Sequence, residues 1–315
     1  MAAKSTRALV LGATGLVGHY CWREWSKRPG WTVLGTWHKT QLPGLERADL
    51  LDSAVIRALI RDAKPNLVLI AAANPFVDHC ERQPEETRAV NVDATILAAS
   101  AAAEAGATPL FLSSDYVFDG KHAPYGEGDT VAPLNHYGRQ KVDAERAIAK
   151  GGADHLIARI SGVFGWELSR KNAVLQTVDR ARSGKPTHGA VDVRANPTYA
   201  ANLPDVLAEM WESGRRGIYH AAGAEELTRF DFFQAVVRTW ELDESLILKS
   251  TMAKMHSPAV RPLHSSLRTD KVRSQVKAPL WGAAKALAHM RSQEAAWNAY
   301  AEGLTSGAPP PRARG

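Results

Sequence analysis

The apolar run Arg7-Ala-Leu-Val-Leu-Gly12 leads directly into Gly12-Ala-Thr-Gly15-Leu-Val-Gly18, and an amphipathic stretch follows from Leu16 to about Arg28. Glycine at positions 12, 15 and 18 is the spacing a tight strand-to-helix turn requires. The chain must reverse within three residues, and the helix must then lie close to the strand with no side chain between them. This junction restricts the chain more than any other stretch. It predicts a β-strand, a turn and an α-helix forming the first half of a βαβ unit.

The segments that follow repeat the alternation. Pro29-Gly30 stops the first helix, and Trp31–Trp37 reads as a second strand. A short strand is expected near Ala48. Asp52 can cap a helix running to Lys64, and Pro65 ends it. Asn66–Ala71, Pro109–Ser113 and Asp154–Ile160 read as further strands, with an Ala-rich helix from about Pro84 to Ala105 between the first two. Strands separated by helices imply a parallel sheet covered on both faces, so the expected fold class is α/β, a Rossmann doubly wound sheet. Beyond Ile160 the pattern loosens. Helices are expected at Asn172–Ser183, Asn202–Ser213 and Thr228–Trp240, and short strands at Val191–Arg194 and Gly217–His220. The organisation read from this is a nucleotide-binding domain over 1–165, to which pieces around 190–220 return. A smaller mixed lobe over 166–305 and a loose tail over 306–315 complete it.

Composition enters through charge. The 315 residues carry a net charge of +6, which invites a nucleic-acid reading. The surplus is uneven: residues 249–315 hold eleven Lys and Arg against three acids, and the remainder is slightly acidic. No basic stripe covers the fold, so neither nucleic acid nor membrane is an expected partner. Two cysteines, Cys21 and Cys80, suggest reduced thiols and a cytoplasmic setting. No secretory leader is evident. The longest apolar run, Leu67–Ala73, is far too short to span a bilayer.

A glycine turn between strand and helix is a phosphate cradle. Backbone N–H groups of Gly12, Thr14, Gly15, Leu16, Val17 and Gly18 can face a pyrophosphate, and the helix N-terminus adds partial positive charge. The end of the second strand then selects the dinucleotide. An acid there would hold an adenosine ribose; here stand Thr36, Trp37, His38 and Lys39. His38 and Lys39 suit a 2′-phosphate, so NADP(H) is expected in preference to NAD(H).

Tyr137-Gly-Arg-Gln-Lys141 opens the helix that follows Leu112-Ser113-Ser114. Residues four apart share a helix face, so the Lys141 ammonium should approach the Tyr137 hydroxyl and bring its pKa toward neutrality. Such a phenol protonates a carbonyl oxygen while hydride reaches the carbon. Ser114 would hydrogen-bond the same oxygen.

These residues resemble the extended short-chain dehydrogenase/reductase superfamily. Ser113-Ser-Asp-Tyr-Val-Phe-Asp-Gly120, Pro124-Tyr125 and Pro133-Leu-Asn-His-Tyr-Gly138 resemble dTDP-4-dehydrorhamnose reductases and, equally, the regulatory β subunit of methionine adenosyltransferase. Asn196-Pro-Thr198 and Arg261-Pro262 extend the resemblance along the chain. It implies that Ser114, Tyr137 and Lys141 are catalytic. It implies that Asp49 and Leu50 flank an adenine and that Ala71, Ala72 and Ala73 lie along the pyrophosphate and ribose. Asn91 would sit behind the reactive centre and Ser113 beside the cofactor. Asp115, Asn74, Asn172 and Arg261 would face substrate.

Two departures fall where the substrate would lie. Gly162 stands where such reductases commonly carry a tryptophan, unless Trp166 replaces it, and Ala73-Asn-Pro-Phe-Val-Asp-His79 differs from the usual loop. Asp78-His79-Cys80-Glu81 gathers metal-ligand residue types, but four adjacent residues cannot face one point, so no metal is expected. The expected activity is NADP(H)-dependent reduction of a keto group on a nucleotide-linked deoxysugar. A non-catalytic regulatory subunit and a sugar-nucleotide epimerase or dehydratase are the alternatives. A homodimer is left open.

Overall fold

The computed structural model describes residues 5–305. Strand β1 (Thr6–Leu11) leads into helix α1 (Leu16–Trp25), followed by β2 (Trp31–Trp37), the two-residue β3 (Glu46–Arg47) and α2 (Ser53–Ala63). Next come β4 (Leu67–Ile70), α3 (Thr95–Glu104), β5 (Thr108–Ser114), α4 (His136–Lys150) and β6 (Leu156–Ile160). After α5 (Ala173–Arg182) and α6 (Leu203–Glu212) the chain re-enters the sheet as β7 (Gly217–His220). The strands lie in the order β7-β6-β5-β4-β1-β2-β3, every pair parallel. Strand order therefore reverses between β1 and β4. In open parallel sheets the crevice beyond the carboxyl ends at this reversal is where ligands bind.

The strands read as unbroken apolar runs because both faces are covered. Alternate residues Val10, Leu69, Leu112 and Ala158 pack under α1 and α6. Their neighbours Leu9, Val68, Phe111 and Ile157 pack against α2, α3 and α4. Ile56 and Ile60, one turn apart on α2, are buried there; each contributes about 1.5–3 kcal/mol. Asp52 caps α2, accepting from the N–H groups of Ala54 and Val55 at 3.1 Å.

A second apolar cluster lies outside the sheet. Phe164, Trp166 and Tyr199 pack there with α5, α7 (Arg229–Thr239), α8 (Ala283–Ser292) and Trp297 of α9 (Glu294–Thr305). Trp166 is 2% exposed and donates its indole N–H to Met290 O at 2.8 Å. It is a core side chain and does not replace the tryptophan absent at Gly162.

Two elements differ from expectation. The Ala-rich segment is not one helix: Pro84–Arg88 is α-helical, Ala89–Ala94 is a π-turn, and α3 follows. The widened turn surrounds the fully buried Asn91, whose amide bonds the Asn74 backbone and Gln140. The expected strand Val191–Arg194 is two: Thr187–Ala190, parallel to Ile247–Ser250, and Arg194–Ala195, antiparallel to Leu227–Thr228. Between them the Asp192 carboxylate takes the Met252 N–H at 2.9 Å, ending the ladder.

The expected tail, 306–315, lies outside the described residues. No helix among the described residues is long and apolar enough to cross a membrane.

Replacing Asp52 by Ala leaves two α2 N–H groups without their acceptor. The unfolding free energy from urea melts is expected to fall by about 1 kcal/mol, with the slope of the transition unchanged.

Candidate functional site at the carboxyl edge of the sheet

The glycine turn lies at the strand-order reversal. Gly12 has φ +89°, and a Cβ there would stand 2.6 Å from Ala72 N at the end of β4. A Cβ on Gly18 would stand 2.3 Å from Gly12 O. Gly15 N-caps α1 and no side chain caps its first N–H groups, whereas Asp52, Asn135, Asn172 and Thr228 cap theirs. This uncapped first turn, beside backbone that excludes any side chain, fits a pyrophosphate; Leu16 and Val17 lie in it and Thr14 just before its N-cap. Ala71 and Ala72 both donate to Leu11 O, at 3.0 and 2.9 Å, and Ala73 follows them along the same edge. Thr36 is turned inward: Gly12 N–H donates to its hydroxyl at 3.1 Å, so it fastens the turn to β2. At the outer end, His38 Nε2 lies 3.4 Å from Asp49 Oδ2. Lys39 is exposed and makes no ion pair among the described residues, and Leu50 is buried.

Helix α4 brings Tyr137 and Lys141 to the end of β5. Asn135 caps the helix through Gly138 N–H at 2.8 Å, which fixes where its first turn begins. The Ser114 hydroxyl lies near the Tyr137 phenol and donates to Asp115 Oδ1 at 3.0 Å. Lys141 Nζ donates to Leu112 O at 2.9 Å and lies 5.6 Å from the centre of the Tyr137 ring. The ammonium thus lies under the ring face rather than at the hydroxyl. Burial pushes the Tyr137 phenol above its ordinary pKa, and the Ser114 hydroxyl only partly opposes that. This reverses the direction expected from the sequence: desolvation of the ring outweighs the displaced cation. Burial also pulls Lys141 down to about 8, against the opposing pull of Glu145 and Cys80.

Several expected contacts to cofactor or substrate hold the protein to itself. Ser113 donates to Glu145 Oε1 at 2.5 Å. Asn91 accepts from Asn74 N–H at 2.8 Å and donates to Gln140 at 2.8 Å, so it braces the loop carrying Asn74. Asn74 itself turns its side-chain oxygen to Phe76 N–H. Asp115 is buried and takes hydroxyls from Ser161 and Ser265 at 2.8 and 2.6 Å besides Ser114. It fastens the ends of β5 and β6 to the C-terminal segment. Asn172 caps α5 and bonds Gly165 O and Glu167. Arg261 pairs with Asp78 at 3.0 Å.

A cavity of about 230 Å³ abuts Asp115 and Tyr116, walled by Gly162, Phe164, Phe232 and Phe233. Its cation is Arg229, which the sequence reading missed. The Arg229 guanidinium rests 5.8 Å from the Phe233 ring centre and makes no ion pair among the described residues. Its position at the start of α7 carries no recognisable motif. Glu145 was also missed, although its place two turns beyond Tyr137 on one helix face was readable. A larger cleft, about 920 Å³ between α1 and α8, is lined by none of the candidate residues.

The parallel sheet with a glycine turn at its reversal and Ser, Tyr and Lys at the adjoining strand end defines a Rossmann-type protein of the extended dehydrogenase/reductase class. Within that class the chain belongs to the RmlD substrate binding domain family, whose pattern matches residues 6–295. It is 35% identical over 248 residues to a Xenopus laevis methionine adenosyltransferase 2 subunit beta, covering 76% of this chain and 74% of that protein. A Yersinia enterocolitica dTDP-4-dehydrorhamnose reductase superposes with TM-score 0.79 at 25% identity, covering 91% of this chain and 99% of that one. The Bacillus anthracis dTDP-4-dehydrorhamnose reductase in complex with NADP shares the fold: TM-score 0.84, 20% identity, 92% and 99% of the two chains.

Two buried histidines make stability pH-dependent. Burial, then the Arg159 guanidinium, pushes His220 down to about 3. Burial, then Arg23, pushes His19 down to about 4. The unfolded chain takes up protons below about pH 6.5 that the folded chain refuses, so this stability is present above that pH and lost as pH falls. Between pH 6.5 and 5 the pair is expected to remove about 2–3 kcal/mol. Urea melts of a His19→Gln/His220→Gln variant should show a correspondingly flatter pH dependence.

Proposed function

We propose that the chain is an NADP(H)-dependent reductase of a keto group on a nucleotide-linked deoxysugar, with NAD(H) as the less favoured cofactor. The observation that carries this is the meeting of Ser114, Tyr137 and Lys141 at the end of β5, with β4 alone between that strand and the one that ends in the glycine turn. The glycine turn Gly12–Gly18 would seat the pyrophosphate against the uncapped N–H groups of α1, Ala71–Ala73 would line the adjoining ribose, and His38 and Lys39 the 2′-phosphate. NADPH, when bound, supplies the hydride that the carbonyl carbon accepts.

The side chains supply the proton. A phenol held above its ordinary pKa is protonated at neutral pH, so Tyr137 can give its O–H proton to the substrate oxygen. The phenolate left behind has the Lys141 ammonium under its ring and the Ser114 hydroxyl nearby. Ser114 is itself oriented by Asp115. The cavity beside Asp115 suits the nucleotide portion: apolar and aromatic walls for a ring, and Arg229 for the diphosphate. Arg261 pairs with Asp78 and is not among the residues lining this cavity.

The 35% identity to the methionine adenosyltransferase subunit supports a second reading, a regulatory subunit that binds the same cofactor. NADPH oxidation against a panel of 4-keto sugar nucleotides separates the two. Turnover supports the enzyme; none, with co-purification of a partner enzyme, supports the subunit. On the enzyme reading, Tyr137→Phe should lower turnover by about 10²–10⁴-fold while NADPH binding, followed by fluorescence, changes only a few-fold. Arg229→Leu should raise KM at least about tenfold with kcat little changed, because a charged hydrogen bond to the diphosphate is lost.

A further inference from the structure

Tyr137, Lys141 and Glu145 are spaced four apart on α4 and share the face turned to the sheet. The first two bear on the proposed chemistry. Glu145 lies deeper, with 5% of its side chain exposed. Oε1 accepts from the Ser113 hydroxyl at 2.5 Å and from Arg159 Nε at 2.9 Å; Oε2 accepts from Arg159 Nη2 at 2.7 Å. Arg159, on β6, is 3% exposed and lies against the Phe118 ring. Its remaining polar neighbours are His220 Nε2 at 3.4 Å and Glu127 O. The buried core therefore holds three charges in alternation across one helix and one strand: Lys141, Glu145 and Arg159.

A buried ion pair is a weak source of stability, since two apolar side chains of the same volume serve as well or better. This pair has a third member to account for it. The Lys141 ammonium is 3% exposed and has one protein acceptor, Leu112 O. The other groups facing it are the rings of Phe111 and Tyr137, the Cys80 thiol from the short helix Val77–Arg82, and Glu145. Burial raises the Cys80 thiol, so it is neutral. Glu145 is the carboxylate among them. Arg159 and Ser113 fill its oxygens, which holds the carboxylate one helical turn from Lys141 and ties α4 to the ends of β5 and β6.

We propose that Glu145 is a positioning residue for the Tyr137–Lys141 pair: pinned by Arg159 and Ser113, its carboxylate is the counter-charge that keeps the buried Lys141 ammonium charged. This rests on the reading that Tyr137 and Lys141 are the reactive pair, but the charge on Lys141 can be measured without turnover.

The experiment is a pH titration of the Lys141 side chain by ¹³C NMR on full-length protein labelled at lysine Cε, its signal assigned by its loss in Lys141→Met. Glu145→Gln should move the Lys141 midpoint down by about one unit or more. Glu145→Gln leaves Arg159 unpaired and can fail to fold. Glu145→Gln/Arg159→Met removes both charges, and it too should lower the midpoint, by less. A midpoint unmoved in a folded variant overturns the proposal. If the protein oxidises NADPH with a keto-sugar nucleotide, the alkaline limb of kcat against pH should move with the midpoint. A purely structural role would lower kcat at every pH and leave the limb in place. An inactive wild type with a shifted midpoint would sink the reductase reading and leave the counter-charge role of Glu145 standing.

Discussion

The approach of α1 to β1 is the constraint on which the rest of the structure depends. Gly18 lies so close to Gly12 that a single added carbon would overlap the Gly12 carbonyl, and one added to Gly12 would overlap Ala72, just past β4. Three backbone segments are thus in contact with no side chain between them. Thr36 adds the fourth, bonding Gly12 N–H from β2. Because β2, β1 and β4 are neighbours in the sheet, this contact fixes the centre of the strand order at its reversal. It also leaves the first turn of α1 uncapped and turned outward. The close packing that forms the fold and the backbone donors proposed for a phosphate are one feature.

A second set of interactions lies along the same edge and is built from buried charged and polar groups. Asp115 gathers three serine hydroxyls from β5, the end of β6 and the C-terminal segment. Glu145 gathers Ser113 and Arg159. Asn91 gathers the Asn74 backbone and Gln140. Each is costly to bury and each is fully hydrogen-bonded, the condition under which burial is tolerated. Together they hold fixed the backbone from which Ser114, Tyr137 and Lys141 project. The second apolar cluster, with Trp166 and α7, is joined to this edge through Ser265 and the cavity walls rather than through the sheet.

The sheet was legible because strand and helix periodicity are local. Trp31–Trp37 and Gly217–His220 are the strands expected, and Asp52, Asn172 and Thr228 cap the helices they were expected to begin. What was not legible depends on partners far along the chain. The Ala-rich segment reads as continuous helix, yet Asn91 opens it into a π-turn to reach Asn74 and Gln140. Asp192 ends a strand by bonding a residue sixty positions away. Residue type marked the site residues, but not whether each side chain faces a ligand or holds the fold together. That distinction needs the partner, as Asp78 shows for Arg261 and Glu145 for Ser113.

Charge shows the same limit. The resemblance implied that Arg261, in the basic segment near the C-terminus, faces substrate, and few acids lie close to it in sequence. Folding brings Asp78 from a different segment to 3.0 Å and holds that guanidinium in place. Arg229 comes from a segment with no such surplus, with Glu225, Glu226 and Asp231 close in sequence. None of them pairs with it: Glu226 takes Arg194 and His264, Asp231 takes the Thr228 hydroxyl, and Glu225 takes the Ala283 N–H. Those acids are occupied elsewhere, so the cation lining the cavity is left without a carboxylate. Local net charge therefore does not show which arginine is left without a carboxylate. An anion is attracted by a cation whose own carboxylates are engaged, and in this chain that condition is met at the start of α7.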